Sequence, residues 1–249
     1  VRENTQYGSE ILKDKIYLDE VFSYYDSLPF LSSENLVNDF LYYTSKKFSR
    51  INSYATTTGG TSRKITNILL SNDSYGIEWS HGHSMFSFAN YSMKQNVKLS
   101  LRGKKLSESK LIDFNPLHNE VVIDTFRMNK NNFVKLYKEL KKYDFKYIHG
   151  YPSLVKEFIS YMKLNDFTLN LKGVFLNSEG ISLEEKQEIS HFFNTKVISW
   201  YGLSEKVLLA IDIEMTNKFK VYTSYGYPSI KDFNSDGFGE IVGSTFVNM

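Results

Sequence analysis

The sequence contains no cysteine. That excludes a disulfide framework and a thiolate metal site, and it suits a reducing, cytoplasmic compartment. It has no surplus of charge: 30 Lys and Arg against 28 Asp and Glu leave a formal +2, so the clustered basic footprint of a nucleic-acid binder is missing. No apolar run approaches the ~20 residues of a membrane helix, and the polar Arg2-Glu3-Asn4 after Val1 does not read as a signal peptide. Internal repeats and low-complexity linkers are absent. So are the Gly-Lys-Ser/Thr ending of a Walker loop and the Gly-x-Ser-x-Gly elbow of a hydrolase.

What is present suffices for a sizeable core. With 249 residues, 41% hydrophobic and 23% charged, the chain suits one large α/β unit or two small lobes. Aromatic residues reach 16%, with 18 Tyr and 19 Phe. An aromatic-rich core accounts for them; a wet cleft is the alternative, because tyrosine joins apolar bulk to a polar tip.

Residues 1–51 are predicted to be helical packing. Ile11, Ile16, Leu18, Val21, Phe22, Tyr25 and Leu28 follow a loose helical period until Pro29 interrupts. Ser33 then caps a helix that turns Val37, Phe40, Leu41 and Tyr42 inward. Residues 52–206 are predicted to be an α/β region. Strands are expected at Ile65–Leu70, Asn96–Leu101 and Glu120–Phe126, a helix at Tyr75–Phe88, and loops at 54–62 and 106–117. Phe133, Leu136, Tyr137 and Leu140 fall at i, i+3, i+4 and i+7, an amphipathic helix with its lysines in solvent. Strand Lys146–Gly150, a helix from Pro152, strand Leu171–Leu176, helix Leu183–Asn194 behind a Ser182/Glu185 capping box, and strand Thr195–Trp200 then alternate. That alternation implies right-handed crossovers and a mainly parallel sheet. Residues 207–249 are predicted to be an antiparallel β meander with strands Val207–Met215, Lys218–Tyr225, Ile230–Asp232 and Glu240–Phe246.

Several polar stretches sit where such a sheet would present them. Thr58-Gly59-Gly60-Thr61-Ser62 combines glycines, which let a backbone approach closely, with hydroxyls that donate to phosphate oxygens; a plain polar turn is the alternative. Tyr151, Glu179 and Glu205 follow three successive strands, so the topology brings them to one sheet edge, where open α/β sheets bind ligands. Tyr201-Gly202 is expected to break its strand, with Ser204 and Glu205 beyond it. His81 and His83 would point the same way on a strand but not on a helix, and no carboxylate or cysteine pattern completes a metal site around them.

Taken together, these stretches resemble the AMP-forming adenylate family. Tyr201-Gly202-Leu203-Ser204-Glu205 is similar to its Tyr-Gly-x-Ser/Thr-Glu motif, and the tail to Ala210 resembles the branch of phenylacetate–CoA ligases and CapK-like capsular polysaccharide proteins. Leu176-Asn177-Ser178-Glu179-Gly180 resembles the adenine-site segment and Thr58–Ser62 the phosphate loop. His149-Gly150-Tyr151-Pro152-Ser153 resembles the Gly-Tyr-Pro-Ser that opens a helix in this branch, and Tyr225-Gly226-Tyr227-Pro228 and Gly239-Glu240-Ile241-Val242 also fit in the family's order. The phosphate loop departs from the family at Arg63-Lys64-Ile65, where Gly-x-Pro is usual.

The resemblance implies an α/β N-terminal lobe that condenses a small-molecule carboxylate with ATP. It assigns the phosphates to Thr58, Gly59, Gly60, Thr61 and Ser62, and the adenine to Ser178, Glu179, Gly180, Tyr201 and Gly202. Ser204 would touch the α-phosphate and Glu205 would hold Mg²⁺; coenzyme A is a further expected cofactor. The family's Arg-Tyr and Gly-Asp segment and its small C-terminal domain, with a catalytic lysine, would follow Met249. The chain is therefore expected to be the large lobe alone, inactive or weakly active by itself, and linked to surface polysaccharide assembly. Two other readings stand beside it: a non-catalytic remnant that binds a nucleotide or partner, and an unrelated glycan-binding or transferase α/β module.

Overall fold

A computed structural model describes residues 4–12, 17–58 and 66–245. Along the chain run α1 (Gln6–Ile11), α2 (Val21–Ser27), α3 (Ser33–Asn38), α4 (Phe40–Tyr43), β1 (Ser53–Thr57), β2 (Asn67–Ser71) and α5 (Asn72–Ser87). Then come β3 (Val97–Leu101), β4 (Ile112–Asn115), β5 (Glu120–Ile123), α6 (Lys130–Leu140), β6 (Phe145–Gly150), α7 (Pro152–Leu164), β7 (Gly173–Leu176), α8 (Leu183–Phe193) and β8 (Val197–Gly202). The chain continues through β9 (Leu209–Asp212), β10 (Lys220–Val221), β11 (Gly226–Lys231) and β12 (Glu240–Thr245). Two compact units emerge: Val1–Trp79 with Gly202–Leu209 and Val221–Met249, and Ser80–Tyr201 with Ala210–Lys220.

The second unit carries an eight-stranded sheet in the order β10-β9-β8-β7-β6-β3-β5-β4. Strands β5, β3, β6, β7 and β8 are parallel neighbours, and β4 runs antiparallel along β5 at the edge. Side chains alternate across a strand, so one face receives Leu99, Leu101, Val121, Ile123, Ile148, Val174, Leu176 and Val197. Against it pack Phe133, Leu136 and Leu140 of α6, Val155, Phe158 and Met162 of α7, and Ile189 of α8. Each such side chain, fully removed from water, stabilises by ~1.5–3 kcal/mol, so this layer anchors the unit. The expected α6 period and the Ser182–Glu185 capping box are both present, with Glu185 N donating to Ser182 Oγ at 3.2 Å and Ser182 N to Glu185 Oε2 at 2.9 Å.

In the first unit β1 pairs with β2 and β11 with β12, both antiparallel. Gly226 admits no side chain: a Cβ there would lie 2.1 Å from the Val207 carbonyl oxygen. Thr5 caps α1, accepting from Gly8 N at 2.8 Å. No helix among the described residues is long and apolar enough to cross a membrane.

Several expectations are corrected. The stretch 54–62 is not all loop, because Ser53–Thr57 forms β1 against β2. Within 106–117, Ile112–Asn115 forms β4, whose short alternating run suits an edge strand. The strand predicted to reach Phe126 stops at Ile123, because Asp124 caps a 3-10 turn by accepting from Arg127 N at 3.2 Å. The helix at 33–38 is capped by Ser32 in a capping box with Asn35, and Val37 and Leu41 point outward, 48% and 80% exposed. Strands β9 and β10 join the large sheet instead of a separate meander; the wholly buried Leu209–Asp212 run demands a covered position.

Candidate functional site at the carboxyl ends of the central strands

The site grows from the ends of β6, β7 and β8, the edge at which open α/β sheets bind ligands. β6 ends at Gly150, where a Cβ would come within 2.8 Å of both Cβ and the carbonyl oxygen of Leu101 on β3. Pro152 then opens α7 at a position where no donor is lost. Tyr151, the residue just before α7, offers it no side-chain cap. The carboxylate of Glu179, beyond β7, does so instead: its two oxygens accept from Ser153 N and Ser153 Oγ, each at 2.9 Å. A negative charge at a helix N-terminus is favoured by the helix dipole. The chain reaches Glu179 through Ser178 in the left-handed region at φ +69.

The structure thus brings Tyr151, Ser153, Ser178, Glu179 and Gly180 to one edge, with Tyr201, 37% exposed, at the end of neighbouring β8. The strand does not break at Tyr201-Gly202 as expected. It runs through Gly202, and the turn lies at 203–206, closed by Lys206 N donating to Leu203 O at 3.1 Å with Lys206 at φ +57. Ser204 and Glu205 are half-buried on that turn, within the first unit, where the Lys206 ammonium pairs with Glu78. Thr58, also in the first unit, closes the β1–β2 pair: its N donates to Thr66 O at 3.0 Å and its Oγ1 accepts from Thr66 N at 3.2 Å. Gly59, Gly60, Thr61 and Ser62 lie outside the described residues.

Sequence reasoning missed a buried polar cluster on the sheet face opposite α6, α7 and α8. Lys98 Nζ donates to His118 O at 2.8 Å and pairs with Glu120 at 3.4 Å, their side chains 1% and 3% exposed. Arg102 Nη2 reaches the same carboxylate at 3.2 Å, and its Nε donates to Ser100 Oγ at 3.0 Å. Burial pushes the Lys98 ammonium pKa down against the pull of Glu120. His149 lies beside this cluster, with the rings of Phe86 and Trp200 centred 5.4 and 5.1 Å from its own. Burial, then the charges of Arg102 and Lys98, hold its pKa well below the usual histidine value, with the Asn177 amide pulling the other way. Neither imidazole nitrogen nor Asn177 Oδ1 makes a hydrogen bond of good geometry among the described residues, although the amide lies near enough to the ring to act on it. The available signal was the alternation of Lys98, Ser100 and Arg102 with Leu99 and Leu101, and a histidine closing the apolar Tyr147-Ile148 run.

A second buried pair, Lys186–Asp212 at 2.6 Å, shapes the turn after β9, where Asp212 also accepts from Thr216 N and Asn217 N at 3.1 and 2.9 Å. Burial raises the Asp212 pKa, but these partners outweigh it and hold the group below its ordinary value. His81 and His83 sit on helix α5, and among the described residues no three His, Cys, Asp or Glu gather to hold a metal. Two surface hollows lie away from the strand ends, one beside Ser190, Asn194 and Lys196 at the amino end of β8, the other between α7 and α8 at Lys156 and Glu188.

This mixed sheet with flanking helices and antiparallel strand pairs is the fold of the N-terminal lobe of adenylate-forming ligases. The structure is similar to 2-hydroxyisobutyryl-CoA ligase in complex with 2-HIB-AMP and CoA in the thioesterification state, with a TM-score of 0.57 and 12% identity over 82% of this chain and 46% of that one. An open conformation of that ligase gives 0.54 and 13%, over 82% and 50% of the two chains. The anthranilate CoA ligase AuaEII in complex with anthranoyl-AMP gives 0.54 and 12%, over 85% and 43%. The likeness is one of fold, and the chain spans about half the length of these structures. No protein-family model and no curated protein matches the sequence.

Proposed function

We infer that the chain is the nucleotide- and carboxylate-binding lobe of an AMP-forming ligase, which condenses a carboxylic acid with ATP to an acyl-adenylate and pyrophosphate. An acceptor such as coenzyme A would then take the acyl group. The observation that carries this reading is the coincidence of fold and motif: Tyr151, Glu179 and Tyr201 end three adjacent parallel strands of a sheet shared with ligases solved with 2-HIB-AMP and anthranoyl-AMP.

In this reading Thr58–Ser62 hold the phosphates, and Ser178, Gly180, Tyr201 and Gly202 border the adenine. Glu179 contributes mainly by fixing α7, since both its oxygens are engaged by Ser153. Ser204 touches the α-phosphate. Glu205 suits Mg²⁺, a hard cation commonly bound by one or two carboxylates together with substrate phosphates. When bound, the cation offsets the charge repulsion met by the attacking carboxylate. The finer reading, the phenylacetate–CoA ligase and CapK-like branch in capsular polysaccharide assembly, is supported by the Tyr201–Ala210 and Gly150–Ser153 stretches. A cytoplasmic setting is supported by the lack of cysteine.

ATP titration with and without Mg²⁺, on wild type and Glu205→Gln, tests the activity and the metal ligand together. Wild type should bind ATP more tightly with Mg²⁺, and Glu205→Gln should keep its fold and lose that dependence. A unit charge pair ~4 Å apart at an effective dielectric near ~20 amounts to ~4 kcal/mol before solvation costs, so a fraction of it is measurable. Absence of ATP binding by wild type overturns the ligase reading. An undiminished Mg²⁺ effect in Glu205→Gln removes that residue from the metal site.

A further inference from the structure

Three buried polar atoms at the carboxyl ends of the strands make no well-formed hydrogen bond among the described residues: both ring nitrogens of His149, whose side chain is almost wholly buried, and Asn177 Oδ1, which lies near the ring. Buried polar atoms in native proteins are paired almost throughout, so these leave hydrogen-bonding capacity for a further partner. They share one sheet face, because His149 pairs in register with Phe175 and Asn177 stands two residues further on. Phe86 and Trp200 flank the imidazole, so the surroundings are apolar with a few convergent polar atoms, the composition of a small-molecule site.

We propose that His149 and Asn177 read a hydroxyl group on the carboxylic acid this lobe activates, so that its substrate is a hydroxy acid. A hydroxyl both donates and accepts, and so satisfies a neutral imidazole in either tautomer and the amide in either orientation. An ammonium substituent would instead meet Arg102 and Lys98, the cations that act on His149, with Glu120 already shared between them. The acid is taken from the proposed ligase activity; the hydrogen-bonding site stands apart from it.

Calorimetry tests this with matched probes, 2-hydroxybenzoate against benzoate and 2-hydroxybutyrate against butyrate, on wild type, His149→Phe and Asn177→Leu. In at least one pair the hydroxy acid should bind wild type ~tenfold more tightly, the value of one well-made hydrogen bond. Each substitution should abolish that preference while leaving the unsubstituted acid's affinity nearly unchanged. If His149→Phe does not fold, Asn177→Leu carries the comparison. Equal affinities in both pairs, no binding of any of the four acids, or a preference that survives substitution overturns the proposal and leaves trapped water as the missing partner. ATP with Mg²⁺ titrated into the same samples separates the two readings: a hydroxyl preference without ATP binding retains this site and rejects the ligase, and the converse rejects the site.

Discussion

Ile148 and His149 are neighbours on β6 and face opposite sides of one sheet. Ile148 enters an aliphatic and aromatic layer under α6, α7 and α8. His149 enters a layer that holds the rings of Phe86, Tyr147, Phe175 and Trp200 together with the polar Lys98, Glu120 and Asn177. The first face is held by dispersion and exclusion of water, which grow and shrink in small steps with area. The second depends on pairing, and a buried charge that loses its partner suffers the whole cost of desolvation. One face can be trimmed; the other is discontinuous in its response, which suits a surface that must hold polar groups at fixed positions.

The largest expected effect breaks the polar side. Glu120→Gln leaves Lys98 without its buried counter-charge and should destabilise the protein by ~3–5 kcal/mol in urea titration. A change under ~1 kcal/mol would mean that the two faces respond alike.

Next in size is a pH effect. The His149 pKa is lowered on folding by burial, while the unfolded chain takes up its proton near the ordinary ~6.5. Above that pH both states are neutral there and stability is unaffected. Below it only the unfolded state binds the proton, so wild type should lose up to ~1.4 kcal/mol per pH unit as pH falls. His149→Phe should remove that loss between about pH 6 and 5, above the range in which Asp124 and Asp212, whose pKa values are lowered from those of ordinary carboxylates, begin to titrate. Parallel stability curves for the two proteins would contradict the burial argument.

The smallest effect belongs to the apolar side. Ile148→Val removes one methylene and should cost ~0.5–1.5 kcal/mol with no pH dependence. Comparing Ile148→Val with His149→Phe across pH measures both faces from adjacent residues.

Some of this contrast was legible beforehand. The apolar face could be read from the spacing of Phe133, Leu136, Tyr137 and Leu140 and from Val155, Phe158 and Met162, because a helix buries what recurs every three or four residues. The polar face could not. Lys98 and Glu120 are unremarkable one at a time, and their pairing depends on β5 lying beside β3. The short edge strand β4 was hidden by its polar neighbours. Val37 and Leu41 followed a helical period yet turned outward, since periodicity describes a stripe without saying that anything covers it.

The sequence by itself determined the local and the sequential: the Ser182–Glu185 cap, the start of α7 at Pro152, and the succession of β6, α7, β7, α8 and β8. These depend on atoms within a turn of one another, or on a handedness rule that needs only their order. Tertiary structure alone decided that β9 and β10 extend the large sheet, that Glu179 turns its carboxylate to Ser153, and that His149 lies buried beside Asn177. The last two join residues more than 25 positions apart in the chain, and the first depends on which strand β9 lies beside, so strand pairing rather than local preference sets which side chains meet.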